Sequence, residues 1–68
     1  MTVWINEEEH TLDAGSTVLD ALARVGITPE TRGVAVAVGD EVVRRAEWSS
    51  TVLSEGAKLE VVTAVQGG

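Results

Sequence analysis

The sequence predicts an α+β fold in which a mixed sheet of about five strands carries one main helix packed on one face. The chain has 68 residues and no cysteine, so one small domain must fold on apolar contacts alone. Two strand-like segments precede a single helix start, and three more strand-like segments follow the helix. Because one helix covers only one face of a sheet, the opposite face is expected to be bare.

The first segments are typical of a β-hairpin. Thr2–Asn6 alternates between apolar and polar residues and is rich in β-formers, which predicts the first strand. Glu7–Glu9 is interpreted as a charged loop, and His10–Ala14 as the second strand.

The helix is marked at both ends. Thr17 can cap its N-terminus, and Asp20 stands three residues later, at the capping-box position. Gly26 occupies the position of a left-handed C-terminal cap, and Pro29 prevents continuation of the helix. An apolar stripe at helical spacing is expected to face the sheet, formed by Val18, Leu19, Leu22 and Val25.

The remaining segments complete the sheet. Val34–Val38 predicts a buried strand, Gly39–Asp40 a turn and Glu41–Arg44 a fourth strand. Arg45–Ser54 is expected to be irregular or to form a short helical turn, and Leu59–Val62 predicts the last strand.

The compact arrangement of this order lays the last strand parallel to the first, in the middle of the sheet. This is the β-grasp or ubiquitin-like arrangement, predicted for residues 1–65, with residues 66–68 as a flexible C-terminal tail. Alternation directs six side chains toward the helix, namely Val3, Ile5, Val36, Val38, Leu59 and Val61. It directs five to the uncovered face, namely Trp4, Ala35, Ala37, Glu60 and Val62.

The acidic composition restricts the possible partners. The net charge is -6 and the pI is about 4.4, so we expect no binding to nucleic acid or to anionic membrane surfaces. No apolar run approaches the roughly 18 residues that span a bilayer, and no signal-peptide pattern follows Met1. The cytoplasm is therefore the expected location.

No group of residues has the pattern of a catalytic, cofactor or metal site. His10 is the only histidine, and without cysteine a metal site is not expected. The segment 49–51 has no neighbouring His or Lys that could activate a hydroxyl group. We therefore expect a protein that binds no cofactor of its own and is not an enzyme.

The two tryptophans have different expected roles. If the alternation holds, Trp4 lies with Ala35, Ala37 and Val62 in an exposed apolar patch that binds a partner. If the register slips by one residue, Trp4 is ordinary core, and the sequence supports both interpretations equally. Trp48 is expected to pack its loop onto the edge of the core.

The sequence closes on Gly67 and Gly68, after the apolar, strand-like run Leu59–Val65. Residues without a Cβ can thread a narrow channel and leave a terminal carboxylate uncrowded for attack on the α-phosphate of ATP. A frayed terminus is the alternative interpretation.

Over essentially its whole length, the chain resembles the ThiS-type sulfur carrier proteins of thiamin biosynthesis. The resemblance rests on the segment Ala14–Val18 before the helix, on Val42–Arg45 followed by Trp48, and on Leu59–Val62 followed by Ala64–Gly68.

The resemblance implies that an adenylating enzyme of the ThiF kind uses ATP and Mg²⁺ at its own site to activate the Gly68 carboxylate. A sulfur donor protein then supplies persulfide sulfur, which leaves a thiocarboxylate on Gly68. The tail next enters thiazole synthase and gives up its sulfur to the thiazole ring. In this scheme Gly67 permits entry of the tail into each enzyme, and Val65 and Gln66 extend the tail. The bare sheet face around Trp4 is expected to dock the adenylating enzyme or the synthase.

Two other functions remain open at this point. A small subunit of molybdopterin synthase, or another carrier of the same superfamily, would share the fold, the tail and the adenylation. A ubiquitin-like binding module would instead never be activated, and its terminus would be unchanged after incubation with ATP and an activating enzyme.

Overall fold

The computed structural model describes residues 1–64 and confirms the predicted order of elements. A hairpin precedes the helix, two further strands and a 3-10 turn follow it, and the last strand closes the described part of the chain. The bounds are β1 Thr2–Ile5, β2 Glu8–Thr11, α1 Val18–Arg24, β3 Val34–Val38, β4 Glu41–Val43, the 3-10 turn Arg45–Glu47 and β5 Lys58–Thr63.

The five strands form one mixed sheet in the order β2-β1-β5-β3-β4. Strand β5 runs parallel to β1, with Lys58 beside Trp4, and antiparallel to β3, with Thr63 opposite Val34. The first and last strands of the described chain are therefore neighbours at the centre of the sheet, as predicted.

The N-terminal hairpin differs from the prediction. Its turn consists of Asn6 and Glu7 alone, whose φ angles are both positive, at 49° and 69°. The second strand is present, but the predicted bounds of the loop, Glu7–Glu9, and of the strand, His10–Ala14, are wrong. Strand β2 begins at Glu8 and ends at Thr11. A two-residue turn of this kind matches the twist of the flanking strands. Pairing with β1 thus outweighs the low intrinsic β-propensity of glutamate.

Helix α1 has the predicted caps. The Thr17 hydroxyl oxygen accepts a hydrogen bond from the Asp20 N–H at 3.3 Å, and the Asp20 carboxylate accepts one from the Thr17 N–H at 2.9 Å. At the other end Gly26 has a φ of +79°, and the N–H groups of Gly26 and Ile27 donate to carbonyls of the last helical turn. This Schellman motif ends the helix and directs Ile27 into the core.

The core lies between α1 and the inner face of the sheet. The predicted inner-face residues are buried, except Val38, which is half-buried against the same core. From the helix, Val18 and Leu22 are buried as predicted, whereas Val25 is 39% exposed at the end of the stripe. Trp48 lies inside the core rather than at its edge. It is 1% exposed, and its Nε1 donates to the Val43 carbonyl at 3.2 Å.

Candidate functional site

The face of the sheet away from the helix, here called the outer face, carries the side chains that alternation predicted there. Trp4 and Ala37 are half-buried, and Ala35, Glu60 and Val62 are exposed. The register of the inner face is therefore the predicted one, and the interpretation of Trp4 as ordinary core is not supported.

One end of the outer face forms an apolar patch, defined by Ala35, Ala37, Val42 and Val62. The strand register places Ala35 opposite Val62, and Ala37 opposite Val42. Val62 is 61% exposed and Val42 is 74% exposed, while the two alanines between them add no protruding side chain. Exposed apolar surface is typical of partner-binding sites, and a partner for this patch stays a prediction. Sequence reasoning missed Val42, although the burial of Val43 in the same short strand places its neighbour outside.

Trp4 does not belong to this apolar patch. Its partner in β5 is Lys58, and Val62 lies four residues farther along β5, with the charged Glu60 between them on the same face. The predicted grouping of Trp4 with Ala35, Ala37 and Val62 therefore separates into two surfaces. Trp4 instead borders a cleft of about 590 Å³, here called the Trp4 cleft, lined by Trp4, Glu7, Lys58, Leu59 and Glu60.

The end of β5 is held from one side by Asn6. The Asn6 Nδ2 donates to the Val61 carbonyl at 2.9 Å, and the Asn6 Oδ1 accepts from the Val61 N–H at 2.8 Å. Backbone pairing between β1 and β5 ends just before this point, at Ile5 and Leu59. The amide side chain therefore continues the ladder by two residues of β5, from Leu59 to Val61, after the main chain of β1 has turned away.

From the other side, the end of β5 is held by Gly33. The Ala64 N–H donates to the Gly33 carbonyl at 2.7 Å. Gly33 has a φ of +73°, and a Cβ built on it would lie 3.1 Å from the Ala64 Cβ. Both the backbone conformation and the close approach require glycine here. Asn6 and Gly33 together fix the point from which residues 65–68 continue.

The remaining predicted site residues, Val65, Gln66, Gly67 and Gly68, lie outside the described residues. Whether they enter a partner's active site stays a prediction. What the described residues supply is the fixed starting point at Ala64 and the outer face beside it.

The other side chains that could carry chemistry do not assemble into a site. His10 lies 3.2 Å from the Glu8 carboxylate, with 17% of its side chain exposed, at the edge strand of the sheet. Within residues 1–64, no group of three or more His, Cys, Asp or Glu residues is arranged to hold a metal ion. No helix in the same range has the length and apolar character that a membrane crossing requires.

Comparison with known proteins points to one family. The model of the ThiS family matches residues 3–68. The sulfur carrier protein ThiS of Thermus thermophilus is 36% identical over 66 residues, which are 97% of this chain and 98% of that protein.

Two thiazole synthases are similar to the chain as well. The enzyme of Magnetococcus marinus is 37% identical and that of Paramagnetospirillum magneticum 34% identical, each over all 68 residues. The chain spans 20% of the length of each of these two relatives.

A solved structure supports the fold. The crystal structure of the thiamine biosynthesis protein ThiS from Geobacter metallireducens matches the whole of both chains with a TM-score of 0.76 and 23% sequence identity. This likeness establishes the β-grasp arrangement predicted from the order of strands.

Proposed function

Because the chain belongs to the ThiS family, we propose that it is the sulfur carrier of thiamin biosynthesis and that Gly68 is the carrier residue. The observation that carries this proposal is the family match through residue 68, together with similarity to a carrier of nearly the same length. The protein is then a cosubstrate that enzymes act on, rather than a catalyst.

The proposed chemistry takes place on the Gly68 carboxylate. One carboxylate oxygen attacks the α-phosphate of ATP at an adenylating enzyme of the ThiF kind, and pyrophosphate leaves, with Mg²⁺ balancing the phosphate charge. The sulfur of a donor protein's persulfide then attacks the activated carbonyl and displaces AMP. A thiol then attacks the donor protein's sulfur in the acyl disulfide and forms a new disulfide with it, and the acyl sulfur leaves as the thiocarboxylate.

The geometry at the end of β5 limits how a partner can approach. Four residues follow Ala64, and four residues span at most about 14 Å in any conformation. A partner's reaction centre must therefore come within about this distance of Ala64. Val62 and Ala35 of the apolar patch are the outer-face residues nearest that point, so the partner is expected to dock on this patch.

Thiazole synthase is the proposed enzyme at which the carrier gives up its sulfur to the thiazole ring. In two thiazole synthases, a region similar to this whole chain forms part of the same polypeptide as the rest of the enzyme. Such a linkage favours a carrier and an acceptor that work together, because it raises their effective concentration. The two other functions considered above, a molybdopterin-synthase subunit and a module that is never activated, have no comparable support.

Intact-mass spectrometry tests this proposal. After incubation with ATP, Mg²⁺, the adenylating enzyme and a sulfur donor, one oxygen of the C-terminal carboxylate is expected to be exchanged for sulfur. A matched chain extended by one alanine after Gly68 should stay unchanged. With thiazole synthase, loaded protein should then give up its sulfur to the thiazole ring, whereas the large subunit of molybdopterin synthase should not take up sulfur from it. An unchanged mass, with the enzymes active on another carrier, would refute the proposal.

A further inference from the structure

The Trp4 cleft combines an aromatic lining residue with an excess of negative charge. Glu7 and Glu60 line the cleft, and Glu9 lies beside Trp4 in the register of β1 and β2. Lys58 is the one basic residue among the lining residues. In the described part of the chain, none of these charged groups takes part in an ion pair. Three carboxylates around a half-buried indole thus face solvent with a single ammonium group among them.

This combination fits a guanidinium group better than any other side chain. A cation is attracted to the face of an indole ring, and arginine stacks on aromatic faces more often than lysine does. The planar guanidinium can also donate hydrogen bonds to carboxylates at the rim while it stacks. The same chemistry occurs inside this molecule, where the guanidinium carbon of Arg45 lies 4.7 Å from the centre of the Trp48 ring.

An enzyme that binds ATP is a suitable source of such a group. It holds the phosphates with cationic side chains, and the resulting positive field attracts an acidic partner such as this chain, whose net charge is -6. The Trp4 cleft lies on the same outer face as the apolar patch, and four residues of β5 correspond to about 13 Å. A protein interface of ordinary size, about 800 Å² on each partner, covers both surfaces.

We propose that the Trp4 cleft binds an arginine side chain of the adenylating enzyme while the apolar patch docks beside that enzyme's active site. This inference rests on the proposed function, because it presupposes that the chain is adenylated. It adds the chemical identity of one contact, between an arginine side chain and the Trp4 cleft, that anchors the complex and fixes the position of the chain on the enzyme. The stacked arginine contributes affinity, and the carboxylates contribute orientation and rate of association.

Calorimetric titration of the adenylating enzyme with variants of the whole chain tests the inference. Trp4→Ala is expected to weaken binding about thirtyfold, as the loss of an aromatic anchor does. Trp4→Phe, which keeps a weaker π face, should lose less. Glu7→Gln and Glu60→Gln are each expected to weaken binding about three- to tenfold at low salt, and less at high salt.

Glu30→Gln and Glu41→Gln are the matched controls, because each removes one exposed carboxylate away from the cleft. If they weaken binding as much as Glu7→Gln and Glu60→Gln, only the net charge matters and the inference fails. If Trp4→Ala weakens binding but the two cleft carboxylates have no effect, the cleft takes an apolar group and the arginine is refuted. Both results leave the proposed function standing, since the parent chain would still acquire sulfur.

Discussion

Asn6 and Val61 are 55 residues apart in the sequence and pair through both polar atoms of the asparagine side chain, at 2.9 and 2.8 Å. The pairing occurs where the main chain of β1 turns away from β5 into the hairpin. A residue with a positive φ is needed for that turn, and asparagine tolerates this conformation better than most residues. One residue therefore makes the turn and extends the central strand pair.

Asn6→Gly is expected to destabilise the domain. It removes both side-chain hydrogen bonds but keeps a residue that adopts positive φ freely. At about 0.5–1.5 kcal/mol for each hydrogen bond, the free energy of unfolding should fall by about 1–3 kcal/mol in urea titrations. For Asn6→Ala the free energy of unfolding should fall by about 1 kcal/mol more, because the left-handed backbone conformation is strained for alanine. A glycine variant as stable as the parent would show that the amide pairing contributes nothing.

Gly33→Ala is expected to slow sulfur loading, whereas Gly39→Ala is not. Both glycines have positive φ, at +73° and +61°, so both variants should lose roughly 1 kcal/mol of stability. Only at Gly33 does the new Cβ meet Ala64, at 3.1 Å, whereas nothing lies within 4 Å of a Cβ at Gly39. Displacement of Ala64, from which residues 65–68 continue, should lower the rate of thiocarboxylate formation. This rate is measured by mass spectrometry under single-turnover conditions. Equal rates for the two variants would show that Gly33 does not position the tail.

Trp48→Ala should remove a large part of the stability of the domain, whereas Trp4→Ala should leave the domain folded. Truncating a buried tryptophan costs about 3–5 kcal/mol, and a chain of this length has roughly 3–10 kcal/mol of stability in total. Trp48 also donates a buried hydrogen bond to the Val43 carbonyl. Trp48→Phe would lose this bond but would leave a smaller cavity than Trp48→Ala. Thermal unfolding followed by circular dichroism distinguishes the variants. A cooperative transition for Trp48→Ala near that of the parent would contradict the packing described above.

Gly67→Ala and Gly67→Val are expected to keep the melting temperature of the parent and to slow adenylation or sulfur transfer. The buried side chains of the described residues lie between Val3 and Val61, so a change at Gly67 should not disturb them. Inside an enzyme channel an added methyl group meets the walls, and the β-branched valine permits fewer backbone conformations. The valine variant should therefore be the slower one. If Gly67→Val acquires and delivers sulfur at the parental rate, glycine is not required at position 67.

Local rules account for the elements that could be predicted. The capping pair Thr17 and Asp20 and the left-handed Gly26 lie within a few residues of the helix they delimit, and all of them occur as expected. The order of apolar segments was enough to predict the central parallel pair. The hairpin turn was missed because neither Asn6 nor Glu7 is followed by the glycine that usually marks such a turn.

The parts of the site that could not be predicted depend on register between distant strands. Alternation places Trp4 and Val62 on one face, but only the pairing of Trp4 with Lys58 shows that Glu60 separates them. The contact of Gly33 with Ala64 likewise joins a loop to the end of a strand that is distant in sequence. No local pattern encodes which residues of two such segments lie side by side.

The central position of β5 also bears on how the protein is made in the cell. During synthesis the ribosome delivers β1 first and β5 last, yet β5 lies between β1 and β3 and contributes Leu59 and Val61 to the core. A nascent or truncated chain without Lys58–Thr63 lacks the middle of its sheet and cannot form a stable domain, so proteases can degrade it. A folded copy must therefore contain the strand that leads to Gly67 and Gly68.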